Sequence, residues 1–136
     1  MVLDLRTNNN ITMKIEFTRL DHIMLCIPEG KEEEARNFYG KVLGLTELND
    51  LGYTIPNNAI WFQIGDIQLH IRSANLTEQV SQRHPAFEIT NLAAAELVLV
   101  SHGISVKHES VIPGRKRFSF WDPFGNRIEL IEYSND

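Results

Sequence analysis

The sequence is short of several things at once. It has one cysteine, Cys26, so no disulfide can form within the chain, and the apolar neighbours of that thiol suit a small buried packing group. It has no excess of basic charge. Its 13 Lys and Arg stand against 18 Asp and Glu, and apart from Arg115-Lys116-Arg117 the cations are scattered. Without a basic stripe to displace phosphate counterions, nucleic acid is not an expected partner. No apolar run is long enough to cross a bilayer, and the N-terminus lacks the basic-then-apolar pattern of a signal peptide. These features predict a cytoplasmic protein with no membrane partner.

What is present is an ordinary globular composition, 43% hydrophobic and 23% charged over 136 residues, enough to bury roughly two thirds of the unfolded surface in one domain. Residues 1–16 are polar and aperiodic and read as a flexible leader, leaving a single domain over 17–136. From Phe17 to Pro28 the pattern is that of a strand, with Ile23, Leu25 and Ile27 on one face and His22, Met24 and Cys26 on the other. Lys31 to Leu43 has helical spacing, acidic residues in its first turn and Gly44 at its C-cap. Ile60–Ile64 and Ile67–Arg72 form a hairpin through Gly65-Asp66, with Trp61, Gln63, Gln68, His70 and Arg72 on the polar face.

The same order then begins again. Ala86 to Ile89 is a strand, Asn91 an N-cap, Leu92 to His102 a helix closed by Gly103, and Ile104 to His108 a short strand. After a loop at Pro113 to Lys116 comes the clearest hairpin of the chain, Arg117 to Glu132. Asp122-Pro123-Phe124-Gly125 supplies its turn, and the alternation of Phe118, Phe120, Ile128 and Leu130 sends Arg117, Ser119, Trp121, Arg127 and Glu129 to the other face. The fold class is therefore α+β: two βαβββ modules, at about 17–74 and 80–133, forming a curved, partly closed mixed sheet with the helices outside.

The repeat singles out four residues. His22 and His84 enter the first strand of each half, and His70 and Glu129 stand in the last, 48 and 45 residues further on. Three imidazoles and a carboxylate on equivalent strands and the same face make a plausible set of ligands for a divalent transition metal. No two of them form a short local motif, so equivalence of position carries the reading; taken singly, each is an ordinary hydrogen-bonded or solvent-facing strand residue. His102 and His108 lack such placement. Arg72, Arg115 and Arg117 suit either a substrate anion or a solvated basic surface, and Trp61 and Trp121 either a pocket wall or ordinary packing.

The residues Leu20-Asp21-His22-Ile23, Phe38 through Leu45, Gln68-Leu69-His70-Ile71, His84-Pro85-Ala86-Phe87 and Trp121 through Glu129 resemble the vicinal oxygen chelate superfamily over about residues 19 to 133. That group includes glyoxalase I, methylmalonyl-CoA epimerase, fosfomycin-resistance transferases, extradiol dioxygenases and bleomycin-resistance proteins. The resemblance implies metal ligands at His22, His70, His84 and Glu129, one divalent ion per site (nickel, zinc, manganese or iron) and a homodimer whose sites draw on both chains. It implies a small metal-dependent enzyme of glyoxalase type, a lyase or isomerase in which the metal stabilises an enolate or oxyanion of a vicinal-oxygen substrate, with Glu129 and His70 as the catalytic pair. Glyoxalase I has a carboxylate where this chain has His70. His22, His84 and Glu129 alone resemble the facial triad of iron dioxygenases, so a dioxygenase, a thiol transferase or a non-catalytic small-molecule-binding resistance protein are the alternatives.

Overall fold

In a computed structural model, which describes residues 14–76 and 81–134, the two modules follow one another as expected. Module one runs β1 (His22–Pro28), α1 (Glu32–Ala35, continued by a π-helical stretch Arg36–Val42), β2 (Thr46–Glu47), β3 (Ile60–Ile64) and β4 (Ile67–Ala74). Module two runs β5 (Ala86–Glu88), α2 (Leu92–Ser101), β6 (Lys107–His108), β7 (Arg115–Trp121) and β8 (Arg127–Tyr133). Each module forms its own four-stranded mixed sheet, ordered β1-β4-β3-β2 and β5-β8-β7-β6. In both, the first strand pairs in parallel with the last, which the intervening helix makes possible, and hairpins supply the remaining pairs.

Local boundaries differ from expectation for identifiable reasons. The first strand begins at His22 rather than Phe17, because β4 offers pairing partners only from Gln68 onward. Residues 1–13 of the expected leader lie outside the described residues, and Lys14 to Asp21 carry no regular secondary structure. The first helix widens after one turn: Ala35 N–H still bonds to Lys31 O, but Leu43 N–H reaches back to Phe38 O, a five-residue step. Gly44, at φ 77°, then reverses the chain. The strand expected at Ile104–His108 shrinks to Lys107–His108, and β7 takes Arg115 and Lys116 from the expected loop. Cys26 is half-buried rather than buried, and its carbonyl accepts a hydrogen bond from Asn126 Nδ2.

One apolar cluster joins the modules. It takes Ile27, Ile60, Phe62, Leu69 and Ile71 from the first sheet, Phe118, Phe120 and Ile128 from the second, and Ala35, Phe38, Tyr39, Leu92 and Leu99 from the helices. Phe38 packs against Phe120 across the modules, and the Tyr39 hydroxyl donates to Asp122 in the final turn. Burial and the neighbouring carboxylate push the Tyr39 pKa far up, so this hydroxyl stays protonated. Asp122 also accepts from Phe124 N, Asn126 N and Asn126 Nδ2, which holds the turn over Gly125 at φ 90°. Because strand side chains alternate and each sheet gives its apolar face to this core, the opposite, polar faces are turned away from it. Among the described residues, no helix is long and apolar enough to cross a membrane.

Candidate metal centre

On the polar face of module one, His22 and His70 meet. In the parallel register of β1 and β4, Met24 lies opposite His70, so His22 stands two residues before that pairing and on the same face. The two rings stack, with centroids 4.1 Å apart and planes at 17°. His70 is sandwiched, because Trp61, directly opposite it on β3, stacks on its other side at 4.1 Å and 5°. Tyr53 meets Trp61 edge-on. His22 Nδ1 is 2.8 Å from Asp21 Oδ2, and His70 Nε2 is 2.9 Å from Gln68 Oε1. The His22 hydrogen bond draws the Asp21 carboxyl below its ordinary pKa. Burial, helped by the neighbouring His22, pushes the His70 pKa down, so this ring is neutral at neutral pH.

Module two repeats the placement with different chemistry. Ala86 lies opposite Glu129 between β5 and β8, and His84 stands two residues before it, as His22 stands before Met24. His84 Nδ1 is 2.8 Å from the carbonyl of Gln82, and its Nε2 faces Glu129 Oε1 at 3.8 Å. Glu129 is only 4% exposed. Its charge is answered by Arg117, diagonal to it on β7, whose Nη1 donates to Oε1 at 2.9 Å while Nη2 donates to Ser110 O. Arg127, two residues earlier on β8, is engaged elsewhere: it donates to Glu109, Gln82 and the Ser119 hydroxyl.

These contacts bear on metal binding through the tautomers they impose. Neither an ionised carboxylate nor a carbonyl oxygen can donate, so Nδ1 of His22 and of His84 carries a proton, and in the neutral ring the lone pair falls on Nε2. Gln68 Oε1 does the same for His70, leaving Nδ1 free. Each imidazole thus has one nitrogen fixed by an acceptor and one available as a ligand, the usual arrangement of metal-binding histidines, and Glu129 adds an anionic oxygen. The donor set suits a divalent transition metal.

The set comes in two halves. His22 and His70 are together, and His84 and Glu129 are together, but among the described residues no three His, Cys, Asp or Glu side chains are grouped closely enough to hold a metal. The shared core takes the apolar faces of both sheets, and the polar faces that carry the two pairs are turned away from it. Of the expected substrate residues, Trp61 and Arg117 touch candidate ligands. Arg72 lies exposed two residues beyond His70, Arg115 lies over the Tyr133 ring at 4.9 Å, and Trp121 ends β7 near Arg127. Reading the sequence did not find Asp21, Gln68, Gln82, Glu109 or Tyr53. The adjacency of Asp21 to His22 was a usable signal; the loop residues had none.

Comparison with known proteins agrees with this architecture. The family model of the Glyoxalase/Bleomycin resistance protein/Dioxygenase superfamily matches residues 19–130. The chain belongs to this superfamily. Among solved structures it is similar to a glyoxalase family protein from Bacillus anthracis, at 33% identity over 90% of this chain and 100% of that one, with a TM-score of 0.81. It shares the fold of lactoylglutathione lyase from Agrobacterium tumefaciens, at 20% identity over 86% and 95% of the two chains and a TM-score of 0.67. The same holds for the genomically encoded fosfomycin resistance protein of Listeria monocytogenes, at 17% identity over 88% and 97% and a TM-score of 0.70. A search of curated proteins finds no match. The superfamily typically uses a divalent metal.

Proposed function

We propose that this superfamily member is a metal-dependent enzyme of glyoxalase type, a lyase or isomerase acting on a small substrate with vicinal oxygens, and that it works as a homodimer in the cytoplasm. The observation that carries the reading is the fixed tautomers: His22, His70 and His84 each commit one nitrogen to an acceptor and keep the other free, at positions matched between modules and completed by Glu129. A half-set on each module calls for a second chain, whose complementary module would supply the missing ligands.

His22, His70, His84 and Glu129 would hold the ion, which supplies Lewis acidity to the substrate oxygens and stabilises an enolate or similar oxyanion. The chain's own contribution is positional and protolytic. Trp61 holds the His70 ring flat against His22, and Asp21, Gln68 and Gln82 fix which nitrogens face outward. His70 is kept neutral by burial, as a nitrogen ligand must be, and Glu129 is the only anionic member of the set. A second reading, a non-catalytic small-molecule-binding protein, is favoured by one observation: Arg117 already neutralises Glu129 without any ion.

Metal analysis of untagged protein, with calorimetric titration of nickel, zinc, manganese and ferrous iron, separates the two. One ion per site, two sites per dimer by light scattering, and turnover in a screen of α-keto thiohemiacetals, acyl-CoA epimers and catechols are expected. No metal with any of the four ions leaves the binding protein; a metal-loaded monomer removes the shared site.

A further inference from the structure

The polar face of module two carries three guanidinium groups, from Arg115, Arg117 and Arg127, and three carboxylates, of which Glu88 is exposed and Glu109 and Glu129 are engaged by the arginines. Glu109 belongs to Arg127, at 2.8 Å. The Ser119 hydroxyl and Arg127 hold its pKa down, so it remains an anion. Glu129 belongs to Arg117, at 2.9 Å, and both side chains are largely buried, Glu129 6% and Arg117 19% exposed. Among the described residues Arg117 has no other carboxylate partner. Its Nε is buried with no hydrogen-bond acceptor, and its Nη2 has only the Ser110 carbonyl.

Glu129 is also the one anionic ligand in the proposed metal set. A divalent cation and the Arg117 guanidinium therefore compete for the same carboxylate. When the ion takes Glu129, Arg117 is left as a poorly solvated cation without a counterion, beside a second positive charge, which is a costly state for a largely buried group. An anion that reaches the site relieves both. We propose that Arg117 is an exchangeable counterion: it pairs with Glu129 in the metal-free protein, and on metal binding turns to receive an anionic group of the substrate. This rests on the metal reading of the site and adds a substrate class to it, a vicinal-oxygen chelator that also carries a carboxylate or other anion. The planar fork of the guanidinium suits a bidentate contact of that kind. It follows that metal and anion bind with positive coupling, each favouring the other through Arg117.

The test uses the full-length protein, Arg117→Gln and Arg117→Lys. Nickel is titrated calorimetrically into each, with thermal melts run with and without nickel. The nickel-loaded proteins are then titrated with acetohydroxamate and with succinohydroxamate, which chelate through the same pair of oxygens and differ by a distant carboxylate. Wild type is expected to prefer succinohydroxamate by roughly tenfold, a typical coupling. Arg117→Gln should bind nickel more tightly than wild type, show a larger nickel-induced rise in melting temperature, and lose the preference. Arg117→Lys, which keeps the charge and serves as the folding control, should keep part of it. Equal or weaker nickel binding by folded Arg117→Gln, or an undiminished preference for succinohydroxamate in either variant, overturns the proposal while leaving the metal site standing. A wild type that takes no nickel overturns both, and makes Arg117–Glu129 a structural ion pair.

Discussion

The two modules share element order, sheet order and the offset between first and last strands, yet their polar faces are built from different chemistry. Module one presents stacked rings: His22, His70 and Trp61 in a column, with Tyr53 at its edge. Module two presents ions: Arg117 with Glu129 and Arg127 with Glu109, all of them mostly withdrawn from solvent. A stacked imidazole loses little when left unpaired, whereas a buried carboxylate demands a cation at all times. Module two therefore carries the site's charge and needs an internal counterion, while module one keeps its donors ready without one. Duplication fixed where the donors stand; the side chains around them determine what state they are in.

The modules also differ in their hairpins, and breaking each in turn should give the largest effect. The module one turn at Gly65-Asp66 leaves Asp66 exposed, while in module two Asp122 is buried and accepts four hydrogen bonds, including the one from Tyr39 on α1. Asp122→Ala strands the Tyr39 hydroxyl and two backbone N–H groups and should cost about 3 kcal/mol in denaturant unfolding. Asp66→Ala should stay within about 0.5 kcal/mol, as for other surface substitutions. Equal losses for the two would mean that the final turn does not tie the modules together.

This asymmetry explains what could be read from the sequence. The repeat was legible because strand alternation and the turn residues Gly65-Asp66 and Asp122-Pro123 impose local constraints that any chain must satisfy. The equivalent placement of His22, His70, His84 and Glu129 was legible because equivalence between halves is a property of spacing. The division of those four into pairs was not, since it follows from how two sheets share one core, and long-range packing leaves no mark on spacing. Nor was β2, two residues long and held by Gln63 and Phe62 of β3. Of the partners that fix tautomers, Gln82 acts through its backbone carbonyl, which any residue supplies.

The ligand pairs can be contrasted directly. Glu129→Gln removes the anionic ligand and also strips Arg117 of its counterion, so metal affinity should fall by about 100-fold, equivalent to about 2.7 kcal/mol. His70→Gln keeps an oxygen donor at a position where charge is not at stake, and the loss should be nearer tenfold, about 1.4 kcal/mol. Metal content after dialysis, measured for both variants, gives the order. If His70→Gln lost metal while Glu129→Gln retained it, the charge of module two would be irrelevant to the site.

The smallest effect expected is a pH dependence stronger in module two than in module one. Glu109 is held below its ordinary pKa, first by the Ser119 hydroxyl and then by Arg127. Between that lowered folded value and the ordinary carboxylate value, the unfolded chain binds more protons than the folded one, so stability rises with pH across that window. The contribution is complete above the ordinary value and disappears as pH falls through the folded value. Glu109→Gln cannot titrate, so its stability should depend less steeply on pH below the ordinary carboxylate range than that of wild type, while the slopes coincide near neutrality. Urea midpoints at a series of pH values from neutral into the acid range read this difference. Module one provides the control: the Asp21 carboxyl is also lowered, by the exposed hydrogen bond from His22, so Asp21→Asn should flatten the acid dependence less than Glu109→Gln. The reverse order would show that the exposed pair, and not the ionic face of module two, dominates the protein's response to acid.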